Sequence, residues 1–218
     1  MPDLNLPQFI AVAVLPILFA ITVHEVAHGW VAKRFGDPTA QRLGRLTLNP
    51  LKHIDPVGTV LIPALLLILH AGFLFGWARP VPVTWENLRH PKRDMVFVAA
   101  AGPAANLLMA FFWGAVARLA TVLPPQADWA AVPLTLMGEI GISINVLLMV
   151  FNLLPLPPLD GGRVAVGLLP GPLSWQLSRV EPYGFFILLG LMAVGALWFV
   201  IQPVASLVTG LVRLVVGL

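Results

Sequence analysis

The chain has 218 residues, is 58% hydrophobic and only 11% charged, and has a mean hydropathy of +0.89, which excludes an ordinary soluble domain, about a quarter of whose residues are charged. Its net charge of +3 sits in the loops between apolar runs, so it reads as cytoplasmic membrane anchors and not as a nucleic-acid surface. With no cysteine, disulfides and thiolate metal sites are excluded, and any metal must be held by His, Asp or Glu.

The apolar segments in chain order are 8–33, 57–76, 95–120, 134–156 and 184–201, with a further one at 204–218. Each of the first five approaches the ~20 residues that a helix needs to cross the hydrocarbon core. The last is short, and Pro203 is expected to break the chain before it. No Lys or Arg precedes the first run and no small-residue cleavage site follows it, so it reads as a retained span and not as a signal peptide. The linkers are brief. Residues 1–218 are therefore expected to form a single membrane-embedded domain, an all-α integral membrane bundle of about five to six hydrophobic segments.

Charge gives an orientation. Lys33, Arg34, Arg42, Arg45 and Lys52 lie in 33–56, Arg79, Arg89, Lys92 and Arg93 in 77–94, and Arg163 and Arg179 in 157–182. The N-terminus and loop 121–133 carry only Asp3 and Asp128. The basic segments belong in the cytoplasm. Segment 57–76 then has both ends on one side and is expected to enter and return, bending at Pro63 or at His70-Ala71-Gly72. Bent backbone at membrane depth is tolerated only where it is buried in protein or faces a wet cavity. The segments around Leu46-Thr47-Leu48 and Pro80-Val81-Pro82-Val83-Thr84 are too broken for helix, and a small β element near the cytoplasmic face, over 44–50 and 80–84, is expected there.

Near the end of the first segment stands His24-Glu25-Val26-Ala27-His28. On a helix, histidines four apart project from one face, where both imidazoles reach one zinc ion, and Glu25 is placed to take a proton from a water beside the metal. Chance would produce this pattern in roughly one such chain in a hundred or fewer. Here chance is a weaker account still, because ionisable groups in an apolar helix are costly and functional by default.

Two histidines do not complete a catalytic zinc site, which normally has three protein ligands. The remaining candidates are His53, His70, His90 and the acids. Asp160 stands out among them, after the run Asn152-Leu153-Leu154-Pro155-Leu156-Pro157-Pro158-Leu159 and before Gly161-Gly162. The prolines should unwind the helix, and the glycines allow a tight bend that presents a carboxylate to a cavity. Taken alone, an ordinary proline-rich turn at a helix end accounts for it equally well.

The pair formed by His24-Glu25-Val26-Ala27-His28 and the distant Asn152-to-Gly162 element, with Gly102-Pro103-Ala104-Ala105-Asn106 between them, resembles the site-2 protease family of intramembrane zinc metalloproteases, in a compact form without a PDZ domain. The resemblance covers most of the chain, with the motifs in the same order. It departs in one place, since the family often has Pro after the asparagine where this chain has Leu153. The resemblance implies Asp160 as third ligand of one Zn2+ per chain, Asn152 as a residue that stabilises the reacting carbonyl or the substrate strand, and Asn106 near the active site holding substrate backbone. It implies a cut in or near transmembrane segments of membrane protein substrates, releasing a regulatory fragment or clearing membrane peptides, in a prokaryotic plasma membrane with the active site near the cytoplasmic side.

Ligand depth agrees with the charge pattern. For His24, His28 and Asp160 to meet, three crossings must separate them, and 8–33, 95–120 and 134–156 supply these only if 57–76 does not cross. His53 reads as a turn residue beside the mouth of the site, His90 as a surface residue, Ser143 and Asn145 as interhelical contacts, Glu139 as lying near the outer interface, and Trp30, Trp77 and Trp85 as interfacial anchors. Two other functions fit part of this pattern. A membrane-anchored zinc peptidase of soluble chains would need a hydrophilic domain for which no loop has room. An inactive scaffold of the same fold would not need Glu25 between intact ligands.

Overall fold

In the computed structural model, residues 4–69 and 76–218 are described. They form helices α1 (Leu6–Arg34), α2 (Thr39–Arg42), α3 (Ile62–Ile68), α4 (Pro91–Ala120), α5 (Asp128–Asn152), α6 (Asp160–Leu168), α7 (Gly171–Ser178), α8 (Glu181–Ala193) and α9 (Ala196–Val216), with short tighter or wider turns between them. Among the described residues, four stretches are helical, long and apolar enough to cross a membrane: Pro7–Arg34, Pro91–Ala120, Pro125–Asn152 and Ala196–Val216. Their outer faces carry bare apolar side chains such as Leu108, Phe112, Phe199 and Leu214, as lipid-facing helices do.

Asn5 starts α1 with a capping box: its side chain accepts from the Gln8 N–H, and the Gln8 side chain accepts from the Asn5 N–H. Lys33 and Arg34 close the last turn, where cations favour the negative end of the helix dipole. The core is built by α4 packed along α5, with α1 across both. Small residues set that spacing. A Cβ on Gly141 of α5 would stand 2.1 Å from the Trp113 side chain of α4, so only glycine permits this approach.

The two ends of segment 57–76 are held together. The Trp77 N–H donates to Gly58 O (3.1 Å), and the Thr59 hydroxyl donates to Trp77 O (2.8 Å), so the chain returns to the level it left. Its first part is a π-helical turn (Pro56–Leu61) leading into α3. Pro63 lies within α3, while His70-Ala71-Gly72 falls outside the described residues.

Two expectations are corrected. Among the described residues there is no β-strand, and 44–49 and 76–84 are irregular. Pro80 and Pro82 have no N–H for a ladder, and side chains satisfy the backbone instead. The Arg45 guanidinium donates to the carbonyls of Lys52, Arg79 and Pro80, and the Val81 N–H goes to Glu25. The last apolar stretch also divides elsewhere than expected. Pro203 lies inside a continuous α9, and the break falls at Gly195, whose φ of +72° favours glycine. An apolar helix tolerates the single hydrogen bond lost at an internal proline.

On the side of the His28 end of α1, Asp37 is a junction that the sequence reading did not mark. It is fully buried, and its carboxylate accepts from the N–H and hydroxyl of Thr39, the Thr84 N–H (2.7 Å) and the Asn87 amide (3.0 Å). It fastens the end of α1 to the start of α2 and to the 84–87 segment. Burial pushes its pKa up, but these hydrogen bonds together outweigh burial and hold it below the ordinary carboxylate value.

Candidate metal centre

His24 and His28 stand one turn apart on α1, and Asp160 is the first residue of α6. The seven residues from Leu153 to Leu159 unwind between α5 and α6 and bring Asp160 back against α1. His24 Nε2 lies 3.0 Å from His28 Nε2, and Asp160 Oδ2 lies 3.2 Å and 3.3 Å from these two nitrogens. Among the described residues, this is the group of His, Asp or Glu side chains whose ligand atoms converge.

Gly161 and Gly162 are not the bend that the sequence suggests. They are buried in the first turn of α6, and a Cβ on either would meet the loop backbone, Leu153 O at 2.2 Å for Gly161 and Pro157 N at 2.2 Å for Gly162. Their service is close approach, which lets the loop wrap around the helix start and fixes Asp160.

The far side of each imidazole is also engaged. His24 Nδ1 lies 2.6 Å from Asn106 Oδ1, and His28 Nδ1 lies 2.7 Å from the Val98 carbonyl oxygen. A backbone carbonyl can only accept, so His28 carries its proton on Nδ1. Asn106 gives the same answer for His24. Its amide nitrogen donates to Ala20 O (3.1 Å) and to Asn145 Oδ1 (2.9 Å), which turns its oxygen toward His24. Both histidines thus present an Nε2 lone pair inward. Asn106 has both its N–H groups committed and is wholly buried behind His24. It is placed to orient a ligand, with no donor left to hold substrate backbone.

Two lone pairs and a carboxylate oxygen facing one another at this range repel unless a cation stands between them. Zinc at about 2.0–2.1 Å from each ligand in tetrahedral geometry places ligand atoms roughly 3.3 Å apart. The observed separations, and the orienting acceptors behind both histidines, fit that ion.

A cavity of 200 Å3 opens on this cluster, lined also by Glu25, Val81, Trp85, Asn152 and Arg163. Glu25 Oε2 accepts from the Val81 N–H (2.7 Å), which fixes the carboxylate at the cavity wall. Asn152 lines the cavity and donates an amide N–H to Leu148 O of its own helix. Arg163 lies over the Trp85 ring, 5.2 Å from its centroid, with Glu181 at 3.6 Å. His53 stays apart, its Nε2 2.9 Å from Thr47 O, and holds the turn before Pro56. His90 is the exposed residue before α4. Ser143 faces outward, while Asn145 makes the interhelical contact expected of it. Glu139 pairs with Arg213 of α9. The sequence reading assigned no role in the site to Val98 or Arg163, and it marked Val81 only as part of the extended segment 80–84. Gly102 it marked only as part of the motif that ends at Asn106. Backbone donors leave no trace in side-chain chemistry, and a glycine kept for space looks like any packing glycine.

Comparison with known proteins gives relatives of one kind. The chain is 42% identical over 195 residues to a Bacillus subtilis protein provisionally named zinc metalloprotease YwhC, covering 88% of this chain and 85% of the relative. It is 31% identical over 197 residues to a Mycolicibacterium smegmatis protein provisionally named zinc metalloprotease Rip2, covering 88% and 72%. Rip2 of Mycobacterium tuberculosis, with the same provisional naming, is 33% identical over 144 residues, covering 66% and 52%. No protein-family model matches the chain, and no solved structure does.

Proposed function

The chain belongs to the site-2 protease family of membrane zinc metalloproteases, and on that premise we propose that it is an intramembrane endopeptidase that hydrolyses peptide bonds in or near transmembrane segments of other membrane proteins. Its cofactor is zinc. The observation that carries the reading is the convergence of His24 Nε2, His28 Nε2 and Asp160 Oδ2 within 3.0–3.3 Å, beside a cavity that also holds Glu25.

These three atoms would hold the metal, which when bound would supply a Lewis acid to polarise the scissile carbonyl and acidify a neighbouring water. Glu25 takes the proton as the water oxygen attacks the carbonyl carbon. It then gives that proton to the leaving nitrogen as the C–N bond breaks. The Val81 N–H keeps Glu25 in place for both transfers. Asn152 offers its remaining N–H to a substrate carbonyl, and Asn106 orients His24. A transmembrane helix hides its carbonyls in its own hydrogen bonds, so the substrate must unwind locally before it is cut.

We read residues 1–218 as one membrane-embedded unit in a prokaryotic plasma membrane, with the site near the cytoplasmic side. The basic loops and the returning 57–76 segment support that orientation. The test is cleavage in lipid nanodiscs by the zinc-loaded chain. One probe is a single-span peptide carrying a Gly-Pro break and a fluorophore–quencher pair, and the other is soluble β-casein. Cleavage of the peptide by the wild type and not by Glu25→Gln is expected. Cleavage of casein alone would replace the reading by a peptidase of soluble chains, and cleavage of neither would replace it by an inactive scaffold.

A further inference from the structure

Behind His24 the hydrogen bonds continue, helix by helix, in one direction. His24 Nδ1 donates to Asn106 Oδ1 on α4, Asn106 Nδ2 donates to Asn145 Oδ1 on α5, and Asn145 Nδ2 donates to Gly141 O (2.8 Å). Two backbone carbonyls leave no choice of direction. Ala20 O can only accept, which orients the Asn106 amide, and Gly141 O can only accept, which orients the Asn145 amide. Both asparagines are wholly buried, where an unpaired amide is costly and a paired one is held firmly.

We propose that Asn145 is a positioning residue of the zinc site, fixing the Asn106 amide and through it the tautomer and aim of His24. The proposal rests on the reading of His24 as a metal ligand. The consequence is that α5, which contributes no ligand of its own, sets the affinity of a metal held by α1 and α6. Ala20 O alone would hold the Asn106 amide by a single N–H and leave the other unpartnered in a buried site, which is costly. With one anchor in place of two, the amide and the Oδ1 that accepts from His24 Nδ1 are held less firmly, and the aim of His24 loosens with them. Asn145 supplies the second anchor.

The experiment measures Zn2+ affinity by chelator competition, and the visible absorption of bound Co2+, on the full chain in detergent. In Asn145→Leu, affinity is expected to fall by about 10- to 100-fold with altered Co2+ bands, as for other groups that orient a ligand from behind. Asn145→Ser is expected to fall equally, because its hydroxyl satisfies Gly141 O but is too short to reach Asn106. Asn145→Asp, neutral when buried, keeps both an acceptor for Asn106 and a donor for Gly141 O and should retain most of the affinity. Trp113→Phe loosens the same α4–α5 interface and should lower the melting temperature without moving the affinity. Wild-type affinity and bands in both Asn145→Ser and Asn145→Leu would overturn the proposal, as would an equal loss in Trp113→Phe. If His24→Ala also bound zinc as the wild type does, the reading of His24 as ligand would fall, which is a separate outcome.

Discussion

Gly102 of α4 faces the point where the metal ligands meet: a Cβ built on it would stand 2.4 Å from His28 Nε2 and 2.6 Å from His24 Nε2. Real Cβ atoms do not come so close, and neither ring can swing aside, since each is tied through Nδ1 to Asn106 or Val98. Gly102→Ala is therefore expected to reduce zinc affinity by about 100-fold or more, beyond the usual effect of an orienting residue, because the methyl group takes the metal's place. The same contact strains the fold itself, so the zinc-free variant should also melt below the zinc-free wild type, by the about 1–3 kcal/mol typical of overpacking. Chelator competition and thermal melts check both, and unaltered zinc affinity would show that the ligands meet elsewhere.

Asp160 gives the second expectation. Asp160→Ala should bring bound zinc, measured by elemental analysis in detergent, from about one per chain to near zero, because two imidazoles alone make a weak site. Metal and fold are also linked, since a ligand held only by the native state stabilises it by about 4 kcal/mol at a thousandfold excess over its Kd. Chelation should thus lower the melting temperature of the wild type and leave that of Asp160→Ala unmoved. Tight zinc in the variant would hand the third position to another residue.

The contrast between Asp160 and Asn106 shows how far the sequence could be read. His24, Glu25 and His28 are spaced by the helix itself, so periodicity alone put both imidazoles on one face of α1 before any tertiary contact was known. Asp160 lies 132 residues beyond His28, and only the family resemblance joined the two. The return of segment 57–76 followed from charge, because the positive-inside bias acts on loops that sequence displays directly. Asn106 was linked to the site, but its role depends on which way its amide points, and that is settled by Ala20 O and Asn145 on two other helices. The β element failed for a similar reason. Extended-looking residues at 44–49 and 80–84 were legible, but the Arg45 guanidinium that satisfies their carbonyls in place of a ladder was not.

Asp37 gives an expectation for pH. Its pKa is lower folded than unfolded, so near that range the unfolded chain binds more protons and stability rises with pH. The contribution is whole above the ordinary carboxylate value, about 3.9, and is lost as pH falls through the lower folded value. Asp37→Asn removes the charge that four donors address and should cost about 1–3 kcal/mol at neutral pH. In melts from pH 7 to pH 3, the gap between wild type and variant should be constant down to about pH 5 and then close. A gap that widens with acid would reverse the sign assigned to Asp37.

Glu25→Gln separates proton transfer from assembly of the site. The amide is nearly isosteric with the carboxylate, and its oxygen can still accept the Val81 N–H, so the 77–84 segment should stay in place. Glu25 is not one of the converging ligand atoms, so bound zinc and the Co2+ bands should match the wild type. What the amide cannot do is take a proton from water. General acid–base groups contribute about 100- to 10,000-fold, so kcat on the single-span peptide should fall within that range while KM changes little. A loss of zinc in Glu25→Gln would make Glu25 part of the metal's binding and not its proton carrier. Full activity would mean that another group moves the proton, and apart from Arg163 the ionisable groups lining the cavity are then His24, His28 and Asp160, which cannot both hold the metal and shuttle protons.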